Sequence, residues 1–221
     1  MQWDPAGFVL WVDEALLVVN KPPGLPVLPD GYHPEAPYLR GILEPLYERL
    51  WTVHRLDKET SGVVVLARSA AAHRHLNTQF QEHHTGKLYH ALVVGTPDWE
   101  EVLVEAPLLP DGDRRHRTIV SAQGKPAQTG LRVLQRFNGC SLVQAAPRTG
   151  RTHQVRAHLA HLGHPILGDR LYGGGEGAIL GRTGLHAWSL ELAHPASGEV
   201  MKFSAPYPED FQRALRELEK I

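Results

Sequence analysis

The stretch His54-Arg55-Leu56-Asp57-Lys58-Glu59-Thr60-Ser61-Gly62, followed at once by Val63-Val64-Val65-Leu66, decides how the rest of the chain is organised. It places one carboxylate, Asp57, between the cations Arg55 and Lys58, just ahead of a Thr-Ser-Gly turn and a β-branched run that reads as a strand. A short polar loop braced by a rigid strand is where proteins tend to place chemistry. Taken alone, the pattern also has an ordinary explanation, in which Asp57 caps the turn and Arg55 or Lys58 is its solvated partner.

Upstream, residues 8–12 and 15–20 read as two short strands joined at Asp13-Glu14. Lys21-Pro22-Pro23-Gly24 stops the second, because proline cannot donate to a ladder and glycine permits a sharp turn. Residues 25–37 form a loop, and Leu39, Ile42, Leu43, Leu46 and Leu50 give 38–50 a helical face. Downstream, Ser69 is the N-cap of a helix running to about His83 or His84. Strands follow at 87–94, near 102–104, 117–121, 128–136 and 140–146, the last two joined by an Asn138-Gly139 hairpin turn. Thr152 to Leu162 reads as a helix stopped by Gly163, with Thr152, Val155, Leu159 and Leu162 on its apolar face and Arg156 at the edge. Residues 173–184 hold six glycines and read as a mobile loop; a phosphate cradle is the weaker reading, since no strand feeds the stretch. A hairpin over 185–203 and an amphipathic helix over 208–218 complete the chain. Such density of strands predicts an α+β fold, a mixed and mostly antiparallel sheet flanked by helices and loops. With no repeat and no linker, residues 1–221 read as one domain.

Composition bounds the rest. At 42% hydrophobic and 21% charged residues the chain is an ordinary globular protein with no apolar run long enough for a membrane span and no signal-peptide pattern, so a cytoplasmic location is expected. The single cysteine, Cys140, excludes an internal disulfide and a cysteine-built zinc site. Net charge is −1, but its distribution is uneven: residues 111–156 carry nine Lys or Arg against two Asp, a local charge of +7 suited to a polyanion.

A second stretch, Gly150-Arg151-Thr152-His153-Gln154-Val155-Arg156-Ala157-His158-Leu159, together with 54–62, resembles the RluA-type family of RNA pseudouridine synthases. Val19-Asn20-Lys21-Pro22-Pro23-Gly24, Lys87-Leu88-Tyr89, Gly168-Asp169-Arg170-Leu171-Tyr172-Gly173, Leu185-His186-Ala187 and Phe203-Ser204-Ala205-Pro206-Tyr207-Pro208 extend the likeness over about residues 10–211 in the family's order. The resemblance implies isomerisation of uridine to pseudouridine in RNA, started by Asp57 with no metal and no cofactor. The aspartate's route, addition to base or sugar or removal of a sugar proton to give a glycal, stays open, and each route needs the charged carboxylate. By the same resemblance Arg156 favours that charged form, Tyr89 stacks on the target base, and Arg55 fills the gap left by the flipped uridine. Leu185 becomes a wall of the uracil pocket, while Lys21 and Arg151 are backbone or structural contacts. The partner expected is an rRNA or tRNA stem-loop rather than DNA or a membrane, bound by a monomer.

Two rival readings have less support in the residues. His153, His158, His161 and His164 sit on or near one helix, and His158 with His161 has a chelating i, i+3 spacing, but residues 154–164 contain no carboxylate to serve a zinc hydrolase. A catalytically silent RNA-binding relative would have lost Asp57 or Tyr89, and both are present. The first strand comes so early that the small amino-terminal RNA-binding domain carried by many family members is not expected here, which leaves the identity of the RNA open.

Overall fold

The computed structural model describes residues 3–31, 33–175 and 179–220. In chain order the elements are β1 (Val9–Val12), β2 (Leu16–Lys21), α1 (Leu39–Tyr47), β3 (Trp51–Thr52), β4 (Ser61–Ala67), α2 (Ala70–Gln81), β5 (Gly86–Val94), β6 (Glu101–Glu105), β7 (Leu108–Leu109) and β8 (Ile119–Val120). β9 (Gln128–Phe137), β10 (Cys140–Pro147), α3 (Gln154–His161), β11 (Leu185–Ala193), β12 (Val200–Ser204) and α4 (Glu209–Leu218) follow. This is the expected α+β architecture, built on mostly antiparallel strands. The chain divides into two compact units, Met1–Gly86 with Ala187–Tyr207, and Lys87–His186 with Pro208–Ile221.

The first unit is ordered β1-β2-β4-β11, with β3 paired to β4 and β12 to β11. The β1–β2 turn is set by Asp13, whose Oδ1 accepts from the amides of Ala15 at 2.7 Å and Leu16 at 2.9 Å. Every residue of β4 is buried, as its unbroken apolar run requires. Leu16, Val18, Val63 and Val65 pack with Ala72 and Leu76 of α2 and with Leu190, Leu192 and Phe203. Ser69 caps α2 by accepting from the Ala72 amide at 3.1 Å. At the helix's other end the Gln79 side chain bonds the amide and carbonyl of Ala193 at 2.8 and 2.7 Å, pinning α2 to the end of β11.

The second unit is ordered β5-β10-β9-β6, with β7 and β8 as a separate pair. β9 and β10 meet at the Asn138-Gly139 turn, where Gly139 has φ +75° and Phe137 faces Cys140. One face of this sheet, Ala91, Val93, Leu131, Val143 and Ala145, packs with Val155 and Leu159 of α3 and with Ile166 and Leu185. α4 buries Phe211, Ala214 and Leu218.

Several boundaries moved for local reasons. The helix expected over 38–50 stops at Tyr47, where Glu48 takes φ +61°, and the buried Leu50 leads into β3, a pairing the sequence pattern did not show. The helix expected from Thr152 starts at Gln154, because His153 sits at φ +52° as its N-cap; Thr152 is exposed rather than on the apolar face. The strand near 117–121 shrinks to the two residues of β8. The glycine-rich stretch is pinned where it is described: the Gly168 amide donates to Gly174 O at 3.0 Å and the Gly174 amide to Asp169 O at 2.9 Å. Residues 176–178 of that stretch lie outside the described residues.

Candidate active site

Asp57 stands in the turn between β3 and β4, partly buried, with its carbonyl accepting from the Thr60 amide at 3.1 Å. The turn is held at three points. His54 accepts from the Val65 amide at 3.0 Å through Nε2 while its ring stacks on Phe80 with centroids 4.6 Å apart, so the start of the turn is fastened to β4. Lys21, fully buried, donates from Nζ to Pro22 O at 2.8 Å, Leu25 O at 2.8 Å and Lys58 O at 3.0 Å. An ammonium has three donors, and all three are spent on carbonyls that tie the 22–25 turn to the residue after Asp57. The Gly24 amide adds a bond to Lys58 O at 2.9 Å. At the far end Gly62 takes φ +116°, and a Cβ there would lie 2.2 Å from the backbone oxygen of Ala187 in β11. Only glycine fits, which fixes the exit of the turn into β4. Of the residues singled out in this unit, Lys21 is therefore an internal anchor, and Arg55, two residues before Asp57, is exposed.

The second unit gathers Tyr89, Leu185, Arg151 and Arg156. Tyr89 stands on β5 opposite Ala145 and packs against the cluster that includes Val155, Leu159 and Leu185. Arg156 projects from α3 with its side chain 11% exposed, and forks onto Asp169, which is 1% exposed: Nε donates to Oδ2 at 2.7 Å and Nη2 to Oδ1 at 2.9 Å. Its guanidinium carbon lies 5.0 Å from the centroid of the Tyr172 ring. The fork fixes the plane of the guanidinium and the ring covers one face, so the cation is held in a single orientation. Tyr172 is itself clamped, donating to Thr118 O at 3.0 Å and accepting from the Thr118 amide at 3.1 Å, and burial pushes its phenol pKa up. Arg151 donates from Nε to Pro126 O at 3.1 Å.

A family model described as RNA pseudouridylate synthase matches residues 15–161. The chain belongs to this family. The match takes in parts of both compact units. Over 206 residues the chain is 42% identical to the dual-specificity RNA pseudouridine synthase RluA of Escherichia coli O6:H1, covering 92% of this chain and 94% of that protein. It is also 42% identical over 208 residues to an uncharacterized RNA pseudouridine synthase of Chloroflexus aurantiacus and 36% identical over 226 residues to the ribosomal large subunit pseudouridine synthase D of Nitrosomonas europaea. Those two alignments cover 90% and 96% of this chain but only 66% and 65% of the relatives' own lengths. Among solved structures, human RNA pseudouridylate synthase domain containing 4 superposes with a TM-score of 0.81 at 28% identity, covering 97% of this chain and 94% of that one.

Within the synthase-family motifs lie further residues whose roles the sequence does not reveal. Gln154, 4% exposed, accepts at Oε1 from Thr149 Oγ1 at 2.7 Å and from the Arg151 amide at 3.0 Å, and donates from Nε2 to Gln128 O at 2.9 Å and Thr129 Oγ1 at 3.0 Å. It stitches the first turn of α3 to β9. His158 continues the network, its ring nitrogens 2.8 Å from Thr129 Oγ1 and 3.0 Å from Ala106 O, and burial lowers its pKa. With both nitrogens engaged inside the core it is a structural histidine. Asp169 falls in a quoted motif, yet only its place against Arg156 discloses what it does.

The basic segment is less free than its charge count implies. Arg117 pairs with Asp113 at 2.6 Å, Arg136 with Glu100 at 2.7 Å, Arg132 with Glu101 at 3.4 Å and Arg156 with Asp169. Among the described residues Arg114, Arg115, Lys125, Arg148 and Arg151 carry no carboxylate partner, and all except the half-buried Arg151 are exposed. Asp113 also accepts from the amides of Arg115 and Arg117 at 3.0 and 3.1 Å, which presents Arg114 and Arg115 from a closed turn.

Proposed function

We propose that this protein isomerises uridine to pseudouridine in structured RNA, rRNA or tRNA stem-loops, acting in the cytoplasm as a monomer without metal or cofactor. The observation that carries the reading is the nearly end-to-end alignment, at 42% identity, with a dual-specificity RNA pseudouridine synthase, with Asp57, Tyr89 and Arg156 each present at its motif position. The reaction breaks the N1–C1′ bond and forms a C5–C1′ bond to the same ribose, so the uracil must be released, turned and rejoined before water intervenes. Asp57 opens the sequence as nucleophile or base, and the clamped turn that carries it supports a carboxylate aimed with little freedom. Arg156 is assigned as its cationic partner by its motif position, and the fork onto Asp169 supports the role by fixing the plane of the guanidinium. Tyr89 stacks on the uracil and stands ready for the C5 proton transfer that restores the ring. Arg55, exposed two residues before Asp57, takes the space of the extruded base, which offsets part of a flipping cost of a few kcal/mol. Leu185 walls the base pocket, and Arg151 meets the RNA backbone.

The test is a gene deletion read by pseudouridine mapping of total RNA. One or more pseudouridines are expected to vanish and to return with the wild-type gene but not with Asp57→Asn. An unchanged map would contradict the reading.

A further inference from the structure

Lys87 opens the Lys-Leu-Tyr element, two residues ahead of Tyr89 on β5. Tyr89, Ala91 and Val93 belong to one packed cluster, so the period of two along the strand puts Lys87 on that same face, about 6.6 Å along from Tyr89. Its side chain is partly buried, yet among the described residues no carboxylate or hydrogen-bond acceptor engages its ammonium. Burial alone lowers its pKa, with no opposing charge to hold it up. Lys21 shows what a structural lysine looks like in this chain, fully buried and bonded to three carbonyls. Lys87 instead has its stem partly buried and its ammonium left for an outside anion, since its Nζ is not among the buried polar atoms that lack a partner.

We propose that Lys87 is a phosphate-binding residue that grips the RNA backbone beside the nucleotide whose base meets Tyr89. The anion an RNA brings to every residue along its length is the phosphodiester, and an ammonium serves it as a compact point charge. One face of β5 then holds both parts of a nucleotide, the base at Tyr89 and the phosphate at Lys87. This rests on the RNA reading of the preceding subsection.

The experiment compares the full-length wild type with Lys87→Met, Lys87→Gln and Lys87→Arg, using a fluorescein-labelled oligouridylate as probe. Binding is measured across a salt series and thermal unfolding without RNA. Met and Gln remove the charge, so the slope of log K against log salt should flatten by about 0.7, the loss of one single-strand phosphate contact, while Arg keeps the wild-type slope. Both neutral variants should melt near the wild-type temperature, because no hydrogen bond or ion pair within the described residues is lost. A slope unchanged in both overturns the proposal, as does a fall in melting temperature in both, which would make Lys87 a structural residue. Asp57→Asn run in parallel separates this from the enzymatic reading: wild type that binds with the Lys87-dependent slope but forms no pseudouridine contradicts the activity and leaves the phosphate contact standing.

Discussion

The polar side chains around the proposed chemistry divide into those proposed to meet the substrate and those that hold the backbone and side chains in place. Asp57, Tyr89 and Arg156 are proposed from the short motifs in which they stand, whereas the roles of Asp169 and Lys21 show only in partners distant in sequence or in backbone carbonyls. Arg156→Lys keeps the charge but loses the planar fork, so turnover should fall by roughly 100-fold with RNA affinity nearly unchanged, as expected when a positioned group shifts by about an ångström. Single-turnover kinetics with separate binding measurements check this; full activity would mean that the fork onto Asp169 has no part in the reaction. Lys21→Met should cost about 3 kcal/mol, because the carbonyls of Pro22, Leu25 and Lys58 lose this donor together, the Leu25 bond being fully buried. Urea unfolding reads that loss, and a variant as stable as wild type would show the anchor to be dispensable.

At the level of elements, the positions of the longer strands and the β9–β10 hairpin were accessible from pattern and turn residues, but the order of strands in the sheet and the ends of α1 and α3 were not. Hydrophobic spacing runs through Leu50 and Thr152, while the chain breaks at Glu48 and His153 by adopting positive φ, a choice made by packing rather than by propensity. The same limit hid the face of α3. Its buried set includes Gln154 and His158, which an apolar stripe cannot contain, and they are satisfied by β9 residues some 25 positions away. Gln154→Ala should therefore destabilise the protein by about 3 kcal/mol, since it orphans partners on both β9 and the turn before α3. Chemical denaturation checks the value, and hydrogen exchange should show the loss of protection concentrated in α3. Uniform loss across the chain would contradict the local role.

For the molecule as a whole, charge read from sequence overstated the basic segment, because its cations find carboxylates at Glu100, Glu101, Asp113 and Asp169. Five unpaired cations set a salt slope of roughly −3 to −4 for a single-stranded RNA loop if all reach phosphates. Neutralising Arg114 and Arg115 should flatten it, whereas Arg136→Gln should leave it within error; equal effects from all three would show that the ion pairs open on binding. Stability should depend on pH through His90, whose pKa burial lowers from 6.5 to about 4. The unfolded chain then binds the extra proton between these values, so the stabilisation present above about 6.5 is lost as pH falls toward 4, by about 3 kcal/mol. His90→Gln should flatten that part of the curve, and an identical pH profile would exclude His90 as its source. The most direct measurement of the central claim uses purified protein, EDTA and RNA labelled with tritium at uridine C5, the position that must lose its hydrogen when the new bond to ribose forms. Wild type should release tritium under these conditions, and Asp57→Asn, folded and still binding RNA, should release none above background. Release by Asp57→Asn within tenfold of wild type, or none by wild type from RNA of the deletion strain, would contradict the account.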